Sequence, residues 1–281
     1  MKLAVSNIAW SPQDRLAAYD ILHQHSITGL EIAPGLFLSG ADDPFAPDAT
    51  TLAQAKKEIA ASDLQLVSMQ SLLFGVQGAA LFEGPEALSQ LKKGMIRAID
   101  LAEQLGIENL VFGSPQQRNI PAGMTAQDAT ALAVEVFTAL GDRAAAAGTK
   151  IAMEFNPAAY GTNFLTHAEQ AIAFVAQVDH PAVTLNFDIG AMYMNEAFEN
   201  IDTLIPGAIS QISHVHISAP FLASAPANNA DIARVLRLLR KANYAHWTSI
   251  EMKAPEGGLV ELETYVARLA TQARKLEGQG S

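Results

Sequence analysis

The chain has 281 residues, 49% of them apolar and 17% charged, with a formal net charge of −11 at pH 7 and no cysteine. That length is close to the ~250 residues of a (β/α)8 barrel and carries enough apolar content for a sizeable core. The acidic balance argues against a nucleic-acid partner, because phosphate contacts need clustered Lys and Arg. Without thiols there are no disulfides, thiolate ligands or thiol nucleophiles, so any metal relies on oxygen and nitrogen donors, as fits a cytoplasmic enzyme.

Apolar runs alternate with helical patterns along the whole chain. The N-terminal MKLAVSNIAW holds one Lys and a short apolar run, which is neither a signal peptide nor a spanning segment. No stretch reaches about 18 uninterrupted apolar residues, so no membrane partner is expected. Strands are predicted at residues 2–6, 29–32, 65–69, 109–112, 150–155, 183–187, 212–217 and 247–252. The first helix opens at Ser11-Pro12-Gln13-Asp14, which supplies a cap, a first-turn proline and an acid. Further helices are expected at 51–62 and 85–105, after the caps Thr125 with Asp128 and Thr166 with Glu169, and at 197–204, 229–241 and 259–276. Gly106 and Gly148 follow helical runs, where a left-handed residue closes a helix. Residues 41–50 and 73–84 read as enlarged loops over a barrel mouth, and the tail 277–281 as frayed.

Parallel strands joined by helices form either a closed barrel or an open doubly wound sheet. The open sheet normally carries a glycine-rich phosphate loop, and neither GxGxxG nor GxxxxGK[ST] occurs here. The expectation is one (β/α)8 TIM barrel domain spanning 1–281.

Glu154 in KIAMEFNP, Asp188 in VTLNFDIG, His216 in ISHVHIS and Glu251 in WTSIEM each end one of the last four predicted strands. Strand ends converge in a barrel, giving one O,O,N,O site suited to a divalent ion, with manganese, magnesium or cobalt preferred and zinc tolerated. Singly, Asp188 could instead cap the following helix, and one of His214 and His216 could be a core histidine. An unpaired carboxylate ending an apolar strand, as at Glu154 and Glu251, is costly unless positive charge balances it. Such a centre polarises a carbonyl while a carboxylate takes the neighbouring carbon's proton; two glutamates on opposite faces of a sugar would invert that carbon.

On these residues the chain resembles the xylose isomerase-like TIM-barrel superfamily over nearly its full length, in particular the sugar epimerase group with the D-tagatose and D-psicose 3-epimerases. The resemblance implies that Glu154, Asp188, His216 and Glu251 bind the metal, that Glu154 and Glu251 are the catalytic acid–base pair, and that the partner is a small carbohydrate. Members are often dimers or tetramers, which leaves a homo-oligomer open. Two substrate-contacting positions depart from the group: a histidine three residues past the metal aspartate is Ala191, and an arginine six residues past the metal histidine is Leu222.

Other residues are candidates for substrate contact: Glu31, Gln70 with Ser68, Arg118, Asn156, His214 and Lys253. His214 could equally be a buried hydrogen-bonding residue, and Lys253 a solvated strand-end cation. Tyr160 and Asn163 are placed to close the site. Trp10, Phe74 and Phe112 are read as an apolar wall or as ordinary core. The alternatives within the fold are aldose–ketose isomerisation and elimination or hydrolysis of a keto-glycoside; outside it, a non-catalytic sugar-binding protein. Relatives that act as abasic-site nucleases use a three-metal cluster with many more histidines, whereas this chain has seven in all and only His214 and His216 lie at a predicted strand end near the quartet.

Overall fold

The computed structural model describes residues 1–278. Eight parallel strands close into a barrel in the order of the chain: β1 Lys2–Ser6, β2 Gly29–Ile32, β3 Gln65–Met69, β4 Asn109–Phe112, β5 Lys150–Glu154, β6 Val183–Asp188, β7 Ile212–Ile217 and β8 Trp247–Ile250, with β8 pairing back to β1. The helices are α1 Arg15–Gln24, α2 Pro34–Phe37, α3 Ala49–Ala61, α4 Pro85–Leu105, α5 Ala126–Ala146, α6 Ala168–Val178, α7 Ile189–Met194, α8 Ile201–Ala208, α9 Asn229–Lys241 and α10 Gly258–Gly278. None of these helices is long and apolar enough to cross a membrane.

All eight expected strands form, with small shifts at three ends. β5 stops at Glu154, β6 runs on to Asp188 and β8 stops at Ile250, although the Glu251 N–H still donates to Ile217 O at 3.0 Å. The cap at Thr125 forms as expected, Thr125 Oγ1 accepting from the Asp128 N–H at 3.1 Å. The cap at Thr166 with Glu169 does not: α6 starts at Ala168, and Gln170 Oε1 accepts from the Thr166 N–H at 2.7 Å. The helix expected at 197–204 starts later, because a 3-10 turn, Phe198–Asn200, occupies its first residues. The short helix α2 has no counterpart in the sequence expectation, which for α7 holds only the possible cap at Asp188. Of the tail, Glu277 and Gly278 belong to α10, and residues 279–281 lie outside the described residues.

Period-two alternation explains how the strands are used. Ile151, Met153, Leu185, Phe187, Val215 and Ile217 are all buried, joining one continuous core with residues of the surrounding helices. Edge-on aromatic contacts extend that layer, Phe112 on Phe137 at 5.0 Å and Phe137 on Phe174 at 5.8 Å. Another set of strand side chains is small or polar and hydrogen-bonds across the barrel. Asn109 Nδ2 donates to Ser68 Oγ at 3.0 Å, Ser213 Oγ donates to Asn109 Oδ1 at 2.8 Å, and Thr184 and Ser213 share a hydrogen bond of 2.6 Å.

Both enlarged loops touch Arg97 of α4. Arg97 of α4 lies 4.2 Å from the ring centre of buried Phe45, and Arg97 Nη2 donates to Phe74 O at 2.7 Å. Phe112 and Trp10 are core residues, whereas Phe74 is 59% exposed.

At the barrel's other end, Gly29 has no room for a side chain: an added Cβ would stand 2.7 Å from Ala4 Cβ and from the Trp247 ring. The substitution Gly29→Ala is expected to destabilise the protein by about 1–3 kcal/mol through overpacking. A urea melt checks this, and an unchanged midpoint would refute the close packing there.

Candidate metal centre

The barrel brings Glu154, Asp188, His216 and Glu251 together, with one ligand atom from each lying within 4.8 Å of the others, all four residues buried. The register explains the convergence: Glu154 pairs with Asn186 and Asp188 with His216 across adjacent strands. His216 Nδ1 is the centre of the group, 3.2 Å from Glu154 Oε1, 3.2 Å from Glu251 Oε2 and 3.8 Å from Asp188 Oδ2.

The other face of the His216 ring is equally specified. Nε2 lies 3.1 Å from Glu31 Oε2, so a proton there leaves the Nδ1 lone pair directed at the three carboxylates. Glu31 is itself wholly buried; its Oε1 accepts from Gln70 Nε2 at 3.0 Å, and His214 Nε2 lies 3.1 Å from its Oε2. His214 Nε2 also lies 2.9 Å from Ser249 Oγ.

Asp188 performs two tasks. Oδ1 accepts from the Ala191 N–H at 2.5 Å, capping α7, and Oδ2 accepts from Ser218 Oγ at 2.6 Å. The capping role and the cluster role therefore coexist. Ala191, where the resembling group has a histidine, contributes its backbone to this cap and is buried.

Burial opposes ionisation of all three carboxyls. Burial pushes the Asp188 carboxyl up to about 8, with Glu154 and Glu251 adding repulsion. Burial also raises Glu251 above the usual carboxylate range. Burial opposes ionisation of Glu154 too, but His216, Asn156 and Arg118 outweigh it and hold its pKa below that range. His216 is held well above an ordinary imidazole against the effect of burial, chiefly by Glu251 and Glu31. Three carboxylates and an imidazole nitrogen converging in a buried site form a donor set that fits a divalent cation, which would relieve this crowding.

The expected substrate-contacting residues divide into two groups. Gln70, Glu154 and Glu251 line a cleft of about 340 Å³, together with Phe74, Ser114 and Gln117. Glu31, His214 and Arg118 have no solvent exposure, and the polar contacts of their side chains are to other protein groups. Arg118, expected to donate to a substrate, is pulled down to a pKa of about 10 by burial, against the attraction of Glu154. Asn156 is buried beside Glu154, and Lys253 is exposed, its backbone N–H on Leu222 O at 3.0 Å. Asn163 joins two loops through Ile120, while the Tyr160 hydroxyl accepts from the Phe221 N–H at 3.0 Å. A separate cavity of about 500 Å³ lies outside the barrel, beside the Arg15–Glu58 ion pair and away from the carboxylates.

The sequence reading misses two residues of this centre. Asn186 Nδ2 donates to Glu154 Oε1 at 2.6 Å and lies 3.0 Å from His216 Nδ1; Ser218 holds Asp188 as described. A period-two signal was present, since Asn186 stands two residues before Asp188 and Ser218 two after His216.

Among solved structures, 3-keto-D-glucoside 4-epimerase from E. coli aligns with a TM-score of 0.77 at 16% identity, covering 98% of this chain and 99% of that one. D-Psicose 3-epimerase from Clostridium cellulolyticum H10, solved with D-tagatose, gives 0.73 at 18% identity over 99% and 98%. An AP endonuclease, family 2, from Brucella melitensis gives 0.71 at 19% identity over 96% and 99%. These likenesses show the fold, and no curated protein matches the chain significantly. The family model for the xylose isomerase-like TIM barrel matches residues 20–273, and the chain belongs to that family.

Proposed function

We propose that the protein is a divalent-metal-dependent epimerase of a keto-sugar or keto-sugar derivative. Glu154, Asp188, His216 and Glu251 are the metal ligands, and Glu154 and Glu251 the pair that moves the proton. The observation that carries this reading is that, of the buried quartet, these two glutamates also line the cleft. Manganese suits the three carboxylate oxygens and one imidazole, with magnesium, cobalt and zinc as alternatives. Two similar folds solved as keto-sugar epimerases support the same chemistry.

When bound, the cation polarises the substrate carbonyl and stabilises negative charge on its oxygen. One glutamate then takes the proton from the carbon next to that carbonyl, giving an enediolate, and the other returns a proton from the opposite face. Asn186 and Asn156 hold the Glu154 carboxylate between them at 2.6 and 2.8 Å, which limits its rotation while it works. Glu31 acts through His216 by fixing its tautomer and ring plane, and Gln70, the residue after β3, holds Glu31. Phe74 and Leu73 cover one side of the cleft, where they exclude water from an enediolate.

The cleft is lined by neutral polar groups, apolar groups and the two carboxylates, a surface that suits an uncharged sugar. A nucleic-acid backbone would instead need a basic track, which a chain of net charge −11 is poorly composed to supply.

Manganese-loaded protein incubated with a panel of ketoses in deuterium oxide is expected to place deuterium at one carbon and invert it. Relocation of the carbonyl would favour aldose–ketose isomerisation, and release of an aglycone would favour elimination or hydrolysis. Glu154→Gln and Glu251→Gln should each abolish exchange and lower the metal content, as should removal of metal by a chelator; retained turnover in either variant sinks the assigned pair. Glu31→Gln should weaken Mn(II) binding by about 10–100-fold in a calorimetric titration. Unaltered affinity there would show that Glu31 does not position His216.

A further inference from the structure

Arg118 ends the 3-10 turn Pro115–Arg118 after β4 and heads the fully buried side chains in size. A buried guanidinium is costly to desolvate, and here neither of its hydrogen-bond acceptors is a carboxylate. Nη1 donates to the main-chain oxygen of Glu154 at 2.7 Å, and Nη2 donates to Asn156 Oδ1 at 2.7 Å. Asn156 Nδ2 then donates to Glu154 Oε2 at 2.8 Å.

The direction of this chain matters. An asparagine amide can be turned either way round, and with its oxygen taken by the guanidinium only its nitrogen is left to meet the carboxylate. Glu154 is thereby gripped twice by one planar cation, once at its backbone and once through Asn156. Oε2 accepts from Asn156 at 2.8 Å, while Oε1 accepts from Asn186 Nδ2 at 2.6 Å and faces His216 Nδ1 at 3.2 Å, so the carboxylate is held at both oxygens. The residue just past β4 contributes the space for this arrangement: a Cβ on Gly113 would stand 2.7 Å from Glu154 Oε2 and 3.4 Å from Asn156 Oδ1.

The loops that carry Arg118 are themselves laced to the loop after β5. Asn119 Nδ2 donates to Gly161 O at 2.7 Å, and Asn163 Oδ1 accepts from the Ile120 N–H at 2.7 Å. The guanidinium therefore bridges two segments whose spacing is already fixed.

We propose that Arg118 is a positioning residue for Glu154: it sets the orientation of the Asn156 amide and, through it, the rotation in which the Glu154 carboxylate meets the metal site. This rests on the epimerase reading only in taking Glu154 as a ligand. A lysine keeps the charge but not the two-pronged planar fork, so it cannot hold both acceptors in the same geometry.

The test compares wild type, Arg118→Lys, Asn156→Ala and the double variant, titrating Mn(II) by electron paramagnetic resonance and recording the visible spectrum of the Co(II)-loaded protein. Each single variant is expected to weaken Mn(II) binding by about 10–100-fold and to change the Co(II) spectrum in the same way. The double variant should bind no more weakly than the weaker single one, because both changes cut the same relay. Losses that multiply in the double variant, or single variants that match wild type, overturn the proposal. If far-UV circular dichroism shows Arg118→Lys unfolded, Asn156→Ala decides: an altered Co(II) spectrum with weaker Mn(II) binding supports the relay, and wild-type values overturn it. A wild type that binds neither ion overturns the metal-site reading and this inference with it; a wild type that binds while both variants match it overturns this inference alone.

Discussion

Like charge crowded at the mouth of the barrel is the constraint around which the other parts are arranged. Glu154, Asp188 and Glu251 end adjacent or neighbouring strands, and barrel closure gives them no way to diverge. His216 stands between these three and Glu31, so one imidazole ring separates a cluster of carboxylates from a fourth buried carboxylate beneath it. The uncharged donors around them, Asn156, Asn186, Gln70 and Ser218, direct N–H or O–H groups at carboxylate oxygens. Each donor eases ionisation a little, and together they hold the acids in fixed directions.

This arrangement separates two kinds of work. The exterior of the barrel is aliphatic and aromatic, filled by large side chains against the helices, and supplies the burial that makes the fold stable. The interior and upper rim are polar, and contribute geometry more than hydrophobic stabilisation. The loops after β3, β4 and β5 carry the cleft wall and the residues that steady Glu154, consistent with function concentrated at the C-terminal ends of barrel strands.

Much of the fold was legible because its signals are local. Apolar runs of four to six residues and the Thr125 cap set most of the boundaries they bear on to within a residue or two. α7 escaped because IGAMYM is apolar and short, although the sequence offers Asp188 as a possible cap, and the carboxyl of that cap also faces the buried cluster around His216. The clustering of Glu154, Asp188, His216 and Glu251 was readable from their repeated place at strand ends. Arg118 was the hardest to read: a loop arginine beside two glutamines looks solvated, and only the three-dimensional crossing of two loops buries it behind β5. Period two places Asn186 and Ser218 on the same face as Asp188 and His216, but which groups they meet depends on the register between strands, which a linear pattern does not contain.

The hydrogen bonds that cross the barrel floor have a consequence for how the chain finds its alignment. Aliphatic exteriors tolerate small sliding, since one branched side chain fills another's place with modest loss. Ser68, Asn109, Ser213 and Thr184 do not, because they belong to four different strands and are linked in a single line. A slip of one residue in any of those strands would turn a buried donor or acceptor away from its mate, where no solvent replaces it. The floor thus acts as a vernier for strand stagger, and the alignment it enforces is the one that delivers four distant residues to a single point on the opposite end of the barrel.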